Sequence, residues 1–246
     1  MPRLVKPAPD RRRDILDLAL ALFLEKGYEA TTVADIVARA GLSKGAFYHH
    51  FAAKDDLLEA LAERFARQSL RGFDRLLSDP SLNAFEKLEA YLVHARNWKR
   101  EMGPQVLAAF TAIFRPDNLL LYHRIHLAGM RLVAPVLTRI IAEGIADRVF
   151  DTPDAESAAD MMLLLAASTH DATGRVLAAN SRADREAALA ALAKRIDLIG
   201  IAADRLLGLP DGSIRFADPD FVADFDCALP ALALEPGPPP RQRRRA

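Results

Sequence analysis

A stretch in the N-terminal quarter of the chain combines cationic side chains with a lack of acidic ones. Residues 36–54 contain no Asp or Glu, although acidic residues flank the stretch at both ends. Its cationic and titratable residues are Arg39, Lys44, His49, His50 and Lys54. The whole chain carries 33 Lys+Arg and 33 Asp+Glu, so the stretch departs locally from a neutral balance. A surface that approaches phosphate groups needs this charge pattern, and the stretch therefore predicts a nucleic-acid contact.

Histidines elsewhere raise the possibility of a metal site. His123 and His126 are three residues apart on a predicted helix, a spacing that can share a metal ion, and His94 lies upstream. A third ligand at a suitable spacing is missing, and the single cysteine, Cys227, is remote. We therefore expect these histidines to line a pocket or an interface, with no metal and no cofactor bound.

Ser168, His170 and Asp171 have the residue types of a hydrolase triad. Neighbouring positions on a helix point in different directions, and the sequence lacks the motif that presents a hydrolase serine at a sharp turn. An all-helical enzyme is therefore the least supported of the functions considered.

Local signals place the cationic stretch on two short helices joined by a turn. Thr32 and Asp35 have the spacing of a capping box at the start of the first helix. Gly41 supplies a residue that tolerates the positive φ of a sharp turn. Ser43 is a natural N-cap for a second helix over residues 44–50. The pattern predicts a helix-turn-helix, and the alternative is an ordinary helical corner in the core of a bundle.

The second of these helices has two different faces. Phe47 and Phe51 are four residues apart and are predicted to be buried together. Lys44 stands at the helix start, where its long side chain can reach a base edge or a phosphate. Gly45 and Ala46 are small enough to let the backbone approach a duplex closely.

The spacing of these residues resembles the N-terminal domain of the TetR (tetracycline repressor) family. The resemblance rests on TTVADI at 31–36, AGLSKGAFYHHF at 40–51 and KDDLL at 54–58, and it covers about residues 9–69. It implies an all-helical homodimer that binds palindromic operator DNA. It also implies a variable ligand-binding domain whose occupancy alters the affinity for DNA.

The resemblance extends the set of expected DNA contacts. It implies that Tyr48 contacts a phosphate and that His49 contacts the DNA backbone or a base. The hydroxyl of Thr32 is expected to cap its helix and to contact a phosphate, and Lys54 to hold a phosphate from the next helix. The predicted DNA-binding residues are Thr32, Ser43, Lys44, Gly45, Ala46, Tyr48, His49 and Lys54.

The composition predicts an all-α protein. Ala and Leu are abundant, and hydrophobic residues make up 51% of the chain, which is enough for a sizeable core. We expect an N-terminal three-helix helix-turn-helix domain followed by a larger helical ligand-binding and dimerisation domain over residues 80–208. In that domain we expect one helix to begin near Pro104, one to span residues 118–149, and one to run from residue 153 to about 179. Residues 209–246, rich in Pro and Arg, are predicted to be a disordered tail.

The second domain contains aromatic, methionine and polar residues suited to an apolar cavity for a small organic effector. Each of them is also compatible with an ordinary core position. The predicted lining residues are His94, Trp98, Phe110, Phe114, His123, His126, Met130, Met162 and Thr169.

A homodimer is predicted to form through the last two helices, over residues 153–179 and 183–207. The final helix carries apolar residues at steps of three and four, close to the pattern of a coiled coil. The predicted interface residues are Leu189, Leu192, Ile196, Ile199, Ala203 and Leu206. Leu198 and Ile201 lie off this stripe and suggest that a second face is also buried.

These observations favour a ligand-responsive transcriptional regulator, most simply a repressor released from its operator by a small-molecule effector. The alternative is a regulator with the same DNA-binding domain whose second domain binds a protein partner. The neutral charge excludes a histone-like protein that coats DNA. A signal peptide is not evident, and no uncharged apolar stretch reaches the ~20 residues that span a bilayer. We therefore expect a cytoplasmic protein without a membrane partner.

Overall fold

The chain folds into α-helices over the part that the computed structural model describes, residues 8–71, 73–109, 114, 118–217 and 220–228. Within these ranges there is no β-strand, and the all-α prediction is confirmed. The helices of the described ranges are α1 (Ala8–Lys26), α2 (Val33–Ala40), α3 (Lys44–His50), α4 (Asp55–Ser69), α5 (Phe73–Leu77), α6 (Ala84–Ala109), α7 (Leu119–Ala146), α8 (Ala155–Ala167), α9 (His170–Ala178), α10 (Arg182–Leu206) and α11 (Phe221–Ala228).

Helices α1 to α4 enclose one hydrophobic core, and we call this part of the molecule the head. Phe23, Ile36, Phe47 and Leu57 are fully buried in it. Each comes from a different helix, so the core holds all four helices together. Helix α4 also packs along α7, and the predicted boundary near residue 69 stays a prediction.

A second core forms where α5, α6, α7, α8 and α10 meet. Leu88, Ile140, Ala159 and Leu207 are fully buried there. Lys87, near the start of α6, forms an ion pair with Glu143, near the end of α7, so the two helices run antiparallel. The Lys87 side chain is only 5% exposed, and removal of either partner would leave a charge without compensation.

Two prolines lie inside long helices. Helix α6 continues through Pro104, so the prediction that a helix begins near this residue is wrong. Helix α7 contains Pro135, and Leu137, Ile140 and Ile141 are buried directly after it. Burial of these side chains outweighs the backbone hydrogen bond that a proline removes.

Helix α7 is long and apolar enough, by length and composition, to cross a membrane, and it is the only such helix in the described part of the chain. In this structure it packs against α4, α6 and α8 as a member of the bundle.

The region after Asp154 contains two helices where the sequence predicts one. Helix α8 ends at Ala167, and α9 begins at His170. Between them, the hydroxyls of Ser168 and Thr169 donate to the carbonyls of Leu165 and Ala166, at 2.6 and 2.9 Å. Such local hydrogen bonds compete with helical ones, and here they accompany the break.

The prediction of a disordered tail from residue 209 is wrong for the described part of that segment. Asp204 on α10 is fully buried, and its carboxylate accepts the backbone N–H groups of Gly212 (2.6 Å) and Ile214 (2.8 Å). Ile214 is buried in the second core. A buried carboxylate needs such donors, and here the donors belong to the segment itself. Residues 229–246 lie outside the described residues.

Candidate nucleic-acid interface

The first helix of the motif begins with the predicted capping box. The Thr32 hydroxyl oxygen accepts the N–H of Asp35 at 3.1 Å, and the Asp35 carboxylate accepts the N–H of Thr32 at 2.8 Å. Lys26 forms an ion pair with the same carboxylate at 2.7 Å. The hydrogen bonds from Lys26 and Thr32 lower the pKa of Asp35 well below its usual range. This cap fixes the start of α2 at the protein surface.

The turn between α2 and α3 depends on Gly41, which has a φ of 60°. Only this left-handed conformation allows the N–H of Leu42 to reach the carbonyl of Val37, at 3.0 Å. Ser43 then caps α3 through a hydrogen bond from the N–H of Ala46 to its hydroxyl oxygen, at 3.2 Å. Local chemistry therefore sets the angle between the two helices.

Helix α3 presents one apolar face to the head and one polar face to solvent. Phe47 is fully buried, and its ring packs against Phe51 with centroids 5.9 Å apart, so the predicted core positions are confirmed. Tyr48 packs edge-on against Phe47 but remains 53% exposed. Lys44 and His49 are exposed beside it. The short helix thus has a ridge of side chains that point away from the protein.

Gly45 lies on the same exposed ridge. A Cβ built at this position would meet no atom of the protein closer than 4.0 Å, the nearest being Oγ of Ser43. The fold therefore does not require a glycine here, although glycine costs about 1 kcal/mol in a helix relative to alanine. Ala46, which follows it, is half-buried. An absent side chain on an exposed helix leaves room for a partner to approach the backbone.

Two cationic residues of the acid-free stretch are engaged by other parts of the head. Arg39 forms a two-pronged ion pair with Glu25 of α1, at 3.1 and 2.8 Å. The Lys54 ammonium donates to the carbonyls of Tyr28 and Thr31, both at 3.0 Å. Burial lowers the pKa of Lys54. Its position argues against the predicted role as a phosphate clamp, because the ammonium holds the loop before α2.

The start of α1 adds positive charge beside α3, and this charge was not predicted to lie there. The Arg12 guanidinium lies 4.8 Å from the centroid of the Phe51 ring, beside the end of α3. Burial, with further contributions from His49, Arg12 and Arg11, lowers the pKa of His50. The run of three arginines at 11–13 was the available signal, but only the tertiary structure shows that it lies next to α3.

Comparisons with known proteins agree with this geometry. The family model of the bacterial regulatory proteins of the tetR family matches residues 15–61, from α1 into α4. The head belongs to the TetR family. The match confirms the resemblance drawn from residues 31–58.

Curated relatives match a part of the chain. The transcriptional repressor KstR2 of Mycobacterium tuberculosis (strain ATCC 25618 / H37Rv) is 37% identical over 89 residues, 36% of this chain and 44% of KstR2. KstR2 of Rhodococcus jostii is 39% identical over 80 residues, 32% of this chain and 39% of that protein. The chain thus spans less than half the length of these relatives.

Solved structures extend the likeness in fold beyond the TetR-family head. RolR without ligand has a TM-score of 0.58 and 18% identity, over 90% of this chain and all of that one. RolR in complex with resorcinol has a TM-score of 0.57 and 19% identity, over 92% and 97% of the two chains. At this identity the comparison establishes the shared helical fold.

The TetR-family head is joined to the rest of the molecule by an ion cluster. Arg124 of α7 contacts three carboxylates of α4, those of Asp55 (3.9 Å), Asp56 (3.3 Å) and Glu59. The Tyr28 hydroxyl donates to Asp55. Contacts therefore run from α7 through α4 to the loop that precedes the helix-turn-helix.

The residues predicted to line one effector cavity lie in separate places. His94 donates to the Ser69 carbonyl at 2.6 Å, at the end of α4. His123 is exposed, whereas Met130 is buried and Met162 is buried in the second core. The Thr169 hydroxyl donates to the carbonyl of Ala166 at the break between α8 and α9. The side chain of Trp98 and all of Phe110 lie outside the described residues.

Two of the predicted pocket residues, Phe114 and His126, belong to one aromatic cluster beneath the head. Phe114 stacks on His170 with centroids 5.6 Å apart, and His126 stacks on Tyr122 at 6.0 Å. Tyr122 lies 4.0 Å from His170 and joins the two pairs. Burial raises the pKa of Tyr122 to about 12. His170 thus packs among aromatic rings, and its Nδ1 lies 3.1 Å from the carboxylate of Asp171.

The predicted dimer stripe on α10 faces the interior of the same protomer. Leu189, Leu192, Ile199 and Ala203 are at most 6% exposed, and Ile196 and Leu206 are half-buried. The first two pack against α9 and Ala203 packs into the second core, so these side chains are occupied before any partner binds. As an interface with a second copy, the stripe stays a prediction.

Three apolar side chains are exposed on α8 and α10. Met161 and Leu164 of α8 are 52% and 51% exposed, and Leu198 of α10 is 61% exposed. We call these three residues the outer face. Leu198 is one of the two residues whose position off the stripe suggested a second buried face.

Proposed function

We propose that this protein is a transcriptional regulator that binds operator DNA through α3. The observation that carries the proposal is the exposed ridge of Lys44, Gly45, Tyr48 and His49 on a helix that is anchored from behind by Phe47. A short, capped and rigid helix of this kind can reach the base edges in the major groove. The curated relatives, which are named as transcriptional repressors, support the direction of the proposal.

Each exposed residue has a distinct role in the proposed complex. Lys44 contacts a base edge or a phosphate, and the Tyr48 hydroxyl and His49 contact the backbone. Thr32 and Ser43 lie at the two helix starts, where their exposed caps come closest to phosphates. Arg12 adds positive charge next to the end of α3.

We also propose that two copies pair through the outer face formed by Met161, Leu164 and Leu198. Exposed apolar side chains on neighbouring helices gain stability when a second copy covers them, and a two-fold arrangement lets the same patch meet itself. Two heads about 34–36 Å apart contact successive major grooves, which explains why a dimer would be needed for sequence-specific binding.

The finer proposal is a cytoplasmic repressor that a small molecule releases from its operator. A ligand that prefers a state with wrongly spaced heads opposes DNA binding by its differential affinity. The contact of Arg124 with α4 offers a route from the second domain to the head. RolR, a neighbour in fold, has been solved in complex with resorcinol, and this supports a small-molecule ligand for the present protein.

Selection of binding sites tests the DNA-binding function directly. The purified full chain is incubated with sheared genomic DNA, and bound fragments are sequenced and footprinted. We expect a palindromic site that the wild-type protein protects and that the Lys44→Ala variant protects much less at the same salt concentration. Lys194→Ala, which removes an exposed lysine from α10, is the matched control. Equal protection by both variants, or no enriched sequence, would contradict the proposal.

The ligand response is tested on the same operator fragment. Small lipophilic compounds are screened by thermal shift, and those that stabilise the protein are tested for release of DNA. We expect Arg124→Ala to weaken ligand-induced release while the protein without ligand still binds the operator. Release that is unchanged in this variant would show that the ion cluster does not transmit the signal.

A further inference from the structure

Two consecutive histidines form the last turn of α3, next to the start of α1. The rings of His49 and His50 lie edge to face, with centroids 5.2 Å apart. His49 is exposed, and His50 is half-buried. The backbone N–H of Phe51 donates to the carbonyl of Phe47 at 3.0 Å, and the helix ends directly after the pair. The two histidines therefore have a fixed place at the end of the exposed ridge.

The charged groups that act on His50 are all cationic when protonated. Within the described residues they are His49 on its own helix, and Arg12 and Arg11 on α1. The Arg12 guanidinium lies over the ring of Phe51, the residue that follows the pair. The acid-free stretch that contains the pair supplies no carboxylate to offset these charges. A proton on the pair therefore meets repulsion from two helices.

In the free protein this environment disfavours a proton on His50. Burial is the largest cause, and the charges of His49, Arg12 and Arg11 add to it, so that the pKa of His50 is lowered. Histidine titrates close to neutral pH even without such effects. At pH 7 and above, the free head therefore holds a neutral imidazole that can accept a proton when a negative charge approaches.

A phosphate group at the end of α3 would reverse this balance. Each phosphate of a duplex carries a negative charge, and an opposite charge within about 4–6 Å favours the protonated imidazole. The protonated ring also donates through both of its nitrogens, whereas the neutral ring donates through one. Tyr48, whose exposed hydroxyl we assign to the DNA backbone, directly precedes the pair. The same duplex would thus bring a phosphate close to the two imidazoles.

We propose that binding of DNA to the head is coupled to the uptake of a proton by the His49–His50 pair. This inference rests on the proposed function, because it needs the DNA backbone at the end of α3, and it adds a regulation of that same site by pH. The proton is assigned to the pair, since neighbouring groups that interact titrate together. Affinity for DNA then increases as the pH falls through the neutral range, because the complex binds more protons than the free protein. Once the free pair is itself protonated, a further fall in pH adds no affinity.

Calorimetric titration measures the proton uptake directly. The full chain is titrated with the selected operator fragment, and with a duplex of unrelated sequence at low salt, in two buffers that differ in ionisation enthalpy. The difference between the observed heats gives the number of protons exchanged. At neutral pH we expect uptake of about 0.3 to 1 proton per head, and at fixed salt an operator affinity at least about threefold higher at pH 6 than at pH 8.

Variants separate the proton from the other DNA contacts. Combined His49→Gln and His50→Gln substitutions should abolish both the uptake and the pH dependence, because glutamine keeps a neutral donor that does not titrate. Lys44→Ala should weaken binding by a similar factor at both pH values and retain the uptake, since lysine side chains keep their charge over this range. His123→Gln, which removes an exposed histidine from α7, is the matched control and should change neither quantity.

The outcomes distinguish this inference from the proposed function. Operator binding without proton uptake, or uptake that the double variant retains, would overturn the coupling and leave the DNA-binding function standing. Failure of the full chain to bind either duplex would overturn both. Thermal melts at both pH values check that each variant is folded. If the double variant is unfolded, His49→Gln alone, at an exposed position, should still reduce the uptake, and an unchanged uptake in this variant would equally overturn the coupling.

Discussion

Helices α3 and α10 are both amphipathic, but they differ in how well their sequence patterns predict which side chains are buried within the protomer. On α3, the apolar Phe47 is buried and the small and polar residues around it are exposed. On α10, the regular apolar stripe that suggested contact with a second copy is buried within its own protomer. Leu198, which lies off that stripe, is exposed instead.

The difference follows from what surrounds each helix. Helix α3 has seven residues and caps at both ends, and one large side chain is enough to fix its orientation. Helix α10 has 25 residues and apolar side chains on more than one face. The packing of α9 and of the segment after α10 decides which face points inward. A regular apolar stripe therefore indicates burial without showing whether the partner is the same chain or another one.

The largest effect is expected from a charge placed on the inner face of α10. Ile199 is 3% exposed, so Ile199→Asp should lower the free energy of unfolding by more than about 4 kcal/mol through lost packing and a buried carboxylate. Urea denaturation measures this loss. Leu198→Asp, one residue away on the outer face, should leave the protomer folded and shift sedimentation from dimer to monomer. A folded monomer of Ile199→Asp would restore the original stripe as the interface.

Substitutions on the two faces of α3 should also have different effects, and the loss of stability should be smaller than for Ile199→Asp. Phe47→Ala should lower the free energy of unfolding of the head by about 3–5 kcal/mol, because a fully buried ring leaves a cavity. Tyr48→Ala should change the free energy of unfolding by less than about 1 kcal/mol while weakening binding to operator DNA. Thermal melts and electrophoretic shifts measure the two effects. A Phe47→Ala protein that melts like the wild type would show that α3 is oriented differently.

Lys44 and Lys54 offer a comparison between an exposed and an engaged lysine. Lys44→Ala should weaken operator binding by about 1–3 kcal/mol and leave the melting temperature unchanged. Lys54→Ala should lower the free energy of unfolding by about 1–3 kcal/mol, because two half-buried carbonyls lose their donor. Both variants are measured at one fixed salt concentration. If Lys54→Ala instead weakened DNA binding without affecting the melt, the phosphate-clamp role would be correct.

The smallest effect is expected at Gly45. Gly45→Ala should raise the free energy of unfolding by up to about 1 kcal/mol, because alanine favours the helix and its Cβ meets no neighbour. Gly45→Leu should fold equally well but lose operator binding, since its side chain would occupy the space that we assign to the duplex. Operator binding by Gly45→Leu at wild-type affinity would show that the backbone does not approach DNA here.

Much of the head followed from local sequence. The capping box of Thr32 and Asp35, the left-handed Gly41 and the Ser43 cap each depend on residues within a few positions of one another. Their geometry is therefore encoded by adjacent residue types and does not need distant partners. The same reasoning placed Phe47 in the core, because one large apolar side chain in a short polar helix has only one way to be buried.

The tertiary structure alone decided the role of each charged or apolar residue whose partner is distant in sequence. Glu25 of α1 forms an ion pair with Arg39 of α2. Two carbonyls of the loop before α2 accept hydrogen bonds from the Lys54 ammonium. The buried Asp204 holds part of a predicted tail against α10. In each case the sequence determined which interaction was possible, since it supplied the charge or the apolar surface. The long-range packing selected one partner among several of similar chemistry, because the energies of such pairs depend on burial that no local pattern contains.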